Sequence, residues 1–285
     1  MQVIENIKDL SIIIKEFKTE KKTIGFVPTM GFLHDGHISL MKRARLVSDI
    51  VVVSIFVNPT QFGPKEDFNT YPRDIKKDTL LCSETGVDIL FMPSVSGMYP
   101  EGYLTYINVE KITDMLCGAS RPGHFKGVAT IVAKFFNIVK PDKAFFGQKD
   151  YQQAVVIKRM AADLNMDIDI DVLPTVREPD GLAMSSRNSY LNQEGKKAAI
   201  CLYRSLVKAE EMIKSGEKTA SVIISAMREI IESERLAKID YINISDAETL
   251  EEVKAIDRKV VIALAVWIGK TRLIDNAIIP LDTHE

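Results

Sequence analysis

The run IVVVSIFVN at residues 50–58 leaves the chain few choices. It is nearly all apolar and β-branched, and it lacks the polar alternation of a half-solvated strand. Such a run reads as a central parallel strand covered on both faces. A parallel strand needs crossover connections, and the sequence supplies them. TIGFVPT (23–29) reads as a short buried strand, and HISLMKRARLVSD (37–49) as a helix with Ile38, Met41, Ala44 and Val47 or Leu40 on one face. DIKKDTLLCSETG (74–86) is a helix closed by glycine, followed by the strand pattern VDILFMPS (87–94). Helical patterns at 127–140 and 152–165 then alternate with strand patterns at 144–147 and 167–176. At the start, Ile4, Ile7, Leu10, Ile14 and Phe17 recur at helical spacing. Repeated β-α-β order predicts an α/β fold, a Rossmann-like doubly wound parallel sheet.

After PTVREPDGLAMSSRN (174–188) the pattern changes. Two long helical segments, about 192–215 and 218–236, precede strand patterns in KIDYINISDA, KVVIALAVWIG and TRLIDNAIIP. This predicts a smaller α+β C-terminal domain, with a first domain over 1–177 and a second over 178–285. One continuous α/β domain with an added subdomain is the alternative; 285 residues exceed the usual span of a single core.

Charge narrows the ligand. A formal net charge of −2 argues against a general nucleic-acid or membrane-surface binder. No apolar run approaches the roughly 20 residues of a membrane-spanning helix, and MQVIENIKDL lacks the build of a signal peptide, so a cytoplasmic location is expected. Cys82, Cys117 and Cys201 are widely spaced without a CxxC pair, which predicts reduced structural thiols rather than disulfides or a zinc site.

Sites in doubly wound sheets lie beyond the carboxyl ends of the strands. Four polar stretches fall there. PTMGFLHDGH (28–37) puts His34 and His37, two of the chain's four histidines, at a strand-to-helix turn. A helix beginning near Gly36 would offer unsatisfied N–H groups and a positive dipole end to an anion. Phosphate binding, a metal pair and simple helix capping all remain open for this turn alone. NPTQFG (58–63) supplies the amides Asn58 and Gln61, which can hold hydroxyl and carboxylate groups without adding charge. GQKDYQQ (147–153) gives Lys149 for a phosphate, Asp150 for a ribose hydroxyl or a cation, and Gln153 on a new helix. MSSRN (184–188) clusters Ser185 and Ser186 with Arg187. His124, in RPGHF, reads as a loop histidine that could border the cleft. Neither GxGxxG after the first strand nor GxxxxGK[ST] occurs, which weakens a dinucleotide dehydrogenase or a P-loop enzyme.

Together PTMGFLHDGH, VSIFVNPTQFGPKEDFNTYPRD, FFGQKDYQQ and REPDGLAMSSRN resemble the signatures of the pantothenate synthetase (pantoate–β-alanine ligase) family, in that family's order. It belongs to the HIGH-type nucleotidyltransferase superfamily. The resemblance covers essentially the whole chain. Asp35 and Gln148 stand where glutamate is common, and Ala183 where the superfamily's KMSKS-type loop would begin with lysine.

The resemblance implies ATP-dependent condensation of pantoate with β-alanine through a pantoyl adenylate, with ATP as substrate and Mg²⁺ alongside it. It implies an ATP site from Met30, Gly31, His34, Gly36, His37, Gly147, Gln148, Lys149, Asp150, Val176, Met184, Ser185, Ser186 and Arg187. His37, His34, Lys149 and Arg187 are the implied catalytic groups, with His37 the assigned proton donor. Gln61 and Gln153 are implied for pantoate, and Gln61 also for β-alanine. Asp150 and Asp67 are candidate Mg²⁺ ligands, the C-terminal domain a lid, and the assembly a homodimer. The alternatives are a nucleotidyltransferase acting on a phosphorylated acceptor and a non-catalytic nucleotide-binding or scaffold protein.

Overall fold

A computed structural model describes residues 1–64 and 66–280. Lys65, within the NPTQFGPKEDFNTYPRD stretch, and 281–285, the end of the expected second domain, lie outside the described residues. The chain runs β1 (Gln2–Ile4), α1 (Ile7–Thr19), β2 (Ile24–Thr29), α2 (Asp35–Val47), β3 (Ile50–Ile55), α3 (Ile75–Glu84) and β4 (Ile89–Phe91). It continues through α4 (Val95–Met98), α5 (Leu116–Ser120), α6 (His124–Val139), β5 (Lys143–Gly147), α7 (Tyr151–Asp163) and β6 (Asp169–Leu173). Then follow α8 (Gln193–Lys214), α9 (Ala220–Glu232), β7 (Ala237–Asp246), β8 (Val260–Ile268) and β9 (Thr271–Ile279). Two compact units result, Met1–Thr113 with Arg121–Gln148 and Gln153–Pro174, and Asp114–Ser120 with Lys149–Gln152 and Thr175 onward.

In the first unit a parallel sheet runs in the order β1-β4-β3-β2-β5-β6, as the α/β pattern predicts. Chain order reverses at β2: β3 pairs with it on one side and β5 on the other. That is the topological switch point, where a doubly wound sheet opens a crevice at its carboxyl edge. β3 is buried at every position, consistent with its unbroken apolar sequence. Helix α2 buries Leu40, Met41 and Ala44 against Val27, Val51, Val53 and Phe145, whereas Ile38 and Val47 are only half-buried.

Several expected boundaries move. The strand expected over 50–58 stops at Ile55 because its partner β2 stops at Thr29, after which Phe56 donates a last bond to Thr29 O. Strand 87–94 shrinks to Ile89–Phe91 and 167–176 to Asp169–Leu173, since strand length follows the neighbour's ladder rather than local hydrophobicity. Ile4 belongs not to the first helix but to edge strand β1, paired with Phe91, and Asn6 caps α1 by accepting the N–H of Lys8. Helix α6 begins three residues before Gly127, so His124 is its first residue rather than a loop histidine.

The second unit holds the antiparallel sheet β7-β8-β9. Its core joins Leu202, Leu206, Ile223, Met227 and Ile231 of α8 and α9 to Ile262, Leu264 and Val266 of β8. All three cysteines are free and buried, and burial pushes the Cys82 and Cys201 thiols up to about 12.

Candidate active site

The turn between β2 and α2 is built so that its histidines cap the helix. His34 is the N-cap: its Nδ1 accepts the N–H of Gly36 at 3.2 Å, and His37 Nδ1 accepts the N–H of His34 at 3.3 Å. The two rings lie 4.1 Å apart between centroids, tilted by 48°. An imidazole nitrogen that accepts carries no proton, so this network assigns both neutral rings the Nε2–H tautomer. The capping alternative is therefore realised, and it leaves Nε2 as the donor on each ring.

The same network corrects the expectation of unsatisfied backbone donors. Gly31 N–H goes to Thr29 Oγ1, Phe32 and Leu33 N–H go to Asp78, and His37 and Ile38 N–H go to His34 O. The backbone amides of this turn named above are thus engaged within the protein.

At the carboxyl end of β3, Pro59–Gln61 forms a single 3₁₀ turn with Asn58 before it. Asn58 is buried and donates from Nδ2 to Gln61 Oε1 and to Gly127 O, both at 3.1 Å. Tyr99 OH donates to Asn58 Oδ1 at 2.8 Å, and the Gly127 carbonyl, which can only accept, fixes which end of the Asn58 amide is nitrogen. With Oε1 so occupied, Gln61 Nε2 lies 3.2 Å from Met30 Sδ, which brings Gln61 to the histidine-bearing turn. The Gln61 carbonyl contacts His124 Nδ1 at 2.8 Å, while His124 Nε2 lies 3.1 Å from Arg121 Nη1. Arg121 in turn forks onto Glu66 through two 2.6 Å bonds. Burial alone would raise the Glu66 carboxyl, but the Arg121 guanidinium outweighs it and holds Glu66 below the usual range.

Helix α6 presses on this turn. A Cβ on Gly127 would lie 2.4 Å from Thr60 O and 2.7 Å from Gln61 N, so only glycine permits the approach. Gly147 ends β5 beside β2, which places it on the sheet edge that carries the histidine turn, with Gln148 next. Gln153 is half-buried on α7.

In the second unit, Gln152 is buried, its amide accepting from Cys117 N–H and donating to Met115 O, so the adjacent glutamines 152 and 153 differ in kind. Lys149 Nζ lies 3.7 Å from Asp150 Oδ1, and Lys149 O accepts from Asn276 Nδ2. Val176 and Met184 face each other across a small hairpin, Met184 N–H donating to Val176 O at 3.0 Å. Arg177 pairs with Asp275 through bonds of 2.6 and 2.9 Å and donates to Gly181 O. Asn188 Nδ2 donates to Glu178 Oε1 and Ala183 O, closing the loop from below. Ser185 Oγ accepts the N–H of Arg187, and Ser186 is buried at the start of a 3₁₀ turn.

Asp78, Arg177 and Asp275 escape sequence reasoning as supports of these loops, whereas His124 enters it as a loop histidine that could border the cleft and Asn188 as the last residue of MSSRN. Some carry a signal: Asp78 shares a helix face with the apolar Cys82 four residues on, and Asp275 interrupts the apolar run of β9. Among the described residues no three His, Cys, Asp or Glu side chains cluster as a metal site.

Comparison with known proteins follows the same lines. The family model described as pantoate-beta-alanine ligase matches residues 2–278. A pantothenate synthetase from Thermosipho africanus is 57% identical over 279 residues, 98% of this chain and 100% of that one. The crystal structure of pantothenate synthetase from Thermus thermophilus superposes with a TM-score of 0.93 at 43% identity, covering 97% and 99% of the two chains. A pantoate-beta-alanine ligase from Francisella tularensis, solved with beta-gamma ATP and beta-alanine, gives a TM-score of 0.80 at 37% identity over 98% and 97%.

Proposed function

The chain belongs to the pantoate–β-alanine ligase family, and on that premise we propose how its residues join pantoate to β-alanine at the expense of ATP. The observation that carries the reaction is the family match along nearly the whole length, 2–278. A pantoate carboxylate oxygen attacks the α-phosphorus, and pyrophosphate leaves with the broken P–O bond. The β-alanine amine then attacks the acyl carbon of the pantoyl adenylate, losing a proton as AMP departs with the bridging oxygen.

The first step brings an anion onto a polyanion, so the site must offset repulsion and stabilise the departing charge. His34 and His37 do this as neutral donors through Nε2–H, because protonating Nδ1 would set it against the backbone N–H it now accepts. His37 then supplies a hydrogen bond, not a proton. Met30, Gly31 and Gly36 shape that turn. Gly147, Gln148, Lys149 and Asp150 hold phosphate and ribose, Val176 takes the adenine through its backbone, and Met184, Ser185, Ser186 and Arg187 meet the triphosphate. Residues 1–177 act as the nucleotide- and pantoate-binding domain and 178–285 as a lid.

Gln61 and Gln153 bind pantoate, and Gln61 also meets β-alanine. An amide orients the nucleophilic carboxylate without forming the ion pair that would blunt it. The Asn58 bond to Gln61 Oε1 supports this, since it fixes the direction of the amide and makes Nε2, now 3.2 Å from Met30 Sδ, its donor end.

Mg²⁺, accompanying ATP, would supply charge neutralisation at the triphosphate. A single carboxylate such as Asp150 beside Lys149, without a cluster of further ligands among the described residues, suits an ion held mainly by phosphate and water. Asp67 is the other candidate. The enzyme is read as cytoplasmic and homodimeric, the latter to be checked by sedimentation.

Incubation with ATP, Mg²⁺, pantoate and labelled pyrophosphate, without β-alanine, tests the adenylate. Pantoate-dependent label in ATP is expected. Exchange only with a phosphorylated acceptor would mark a different nucleotidyltransferase, and no exchange a non-catalytic binder.

A further inference from the structure

The turn at 30–33 contains two successive residues in the left-handed region, Gly31 at φ +84° and Phe32 at φ +51°. For glycine this is ordinary, but for phenylalanine it is a strained conformation that the surroundings must impose. What imposes it is a carboxylate. Asp78, in the first turns of α3 and 1% exposed, accepts Phe32 N–H on Oδ2 at 2.7 Å and Leu33 N–H on Oδ1 at 2.8 Å. Both oxygens are engaged by consecutive amides, a grip that needs two acceptors at a fixed separation.

The fit has no slack. A Cβ on Gly31 would sit 3.0 Å from Asp78 Oδ2 and 3.0 Å from Ile55 Cγ2. Leu33, next in the turn, is 4% exposed in the core of the unit. His34 follows it directly as the N-cap of α2. Asp78 therefore fixes one end of the turn and the α2 core the other, with the histidines between. Its charge is met chiefly by the two backbone N–H groups, with a smaller attraction from Lys77 opposed by Asp74. Burial raises its carboxyl above the usual range despite the two N–H bonds, so this carboxylate is retained against a desolvation penalty.

We propose that Asp78 is a positioning residue for the nucleotide. By clamping the amides of Phe32 and Leu33 it withholds them from phosphate and sets the turn from which His34 and His37 present Nε2–H. The proposal rests on the ATP role given above to residues 30–37.

Asp78→Asn keeps the size and one acceptor but turns an NH₂ towards the second amide. In pantoate-dependent pyrophosphate exchange with the full chain, the rate should fall by more than about tenfold and the ATP KM should rise, as misplacement does. The pantoate KM should stay within about threefold, because uniform structural damage would move all three together. Asp78→Glu, which keeps the charge but shifts the carboxylate, should resemble Asn; a Glu variant as active as wild type overturns the clamp in favour of a purely electrostatic role. A folded Asn variant with unchanged ATP KM and rate also overturns it.

If neither variant folds, hydrogen exchange on the wild-type protein decides. The Phe32 and Leu33 amides should exchange slowly without any ligand although they lie in a loop, and fast exchange overturns the clamp. Slow exchange in a wild-type protein devoid of pantoate-dependent activity would instead leave the clamp standing and refute the nucleotide reading.

Discussion

His37 accepts the backbone N–H of His34 on Nδ1 at 3.3 Å, and that bond decides which nitrogen of the His37 ring carries the proton. The two roles of the ring can be separated by substitution. Asn places its oxygen where Nδ1 sits, and Gln reaches the position of Nε2. His37→Asn should keep thermal stability within about 1 kcal/mol of wild type, as a retained cap would. Its pyrophosphate exchange should fall by about 10²–10³-fold, the usual loss for a transition-state donor. His37→Gln should show the reverse balance, a lower midpoint with more activity. An Asn variant more active than the Gln variant would refute the assignment.

Asn58 sets the direction of the Gln61 amide, so an acid in its place should reverse it. Asn58→Asp puts an acceptor against Gln61 Oε1 and Gly127 O, where a donor now stands. The pantoate KM should rise by about tenfold, the equivalent of one misdirected hydrogen bond, while the ATP KM changes little. Gln61→Ala and Gln153→Ala should show the same preference for pantoate over ATP. Equal losses for both substrates would contradict their assignment.

Gly127→Ala tests the close approach of α6 to the 59–61 turn. The new methyl would meet Thr60 O at 2.4 Å, so backbone must move. A loss of about 1–3 kcal/mol is expected in denaturant titration, with a raised pantoate KM. A fully stable and active variant would mean that the turn yields freely.

Glu66 gives a pH signature. Its carboxyl titrates below the ordinary 4.5, so its pairing with Arg121 stabilises the fold above that value and is lost as pH falls through the folded value. Glu66→Gln should cost about 1.5–3 kcal/mol near neutrality, as for a charged hydrogen-bonded pair, and progressively less in acid. Asp78 runs the other way, its raised carboxyl favouring the fold as pH falls from neutrality. The wild-type-minus-variant difference therefore isolates Glu66, and a difference that grew in acid would contradict the pairing.

Much of this architecture is legible from residues alone where burial and periodicity coincide. The run 50–58 announces a central strand, and the helices at 37–49 and 192–215 show their period. Ends are less legible. Phe56 remains buried after β3 has stopped, because hydrophobicity reports burial whereas a strand also needs a partner of matching length. Ile4 fits a helical period and pairs instead with Phe91, a contact no local window contains.

The sequence by itself determined the α/β order, the family and the residue types at the site, because these are fixed by local pattern and by signatures contiguous in the chain. Tertiary structure alone decided how those groups are aimed. Asp78 reaches Phe32 and Leu33 across 46 and 45 residues, and Asn58, beyond the end of β3, and His124 of α6 both hold Gln61. Hydrogen-bond direction, tautomer and the sign of a carboxyl shift depend on what the fold places within about 3 Å, and that distance has no counterpart along the chain.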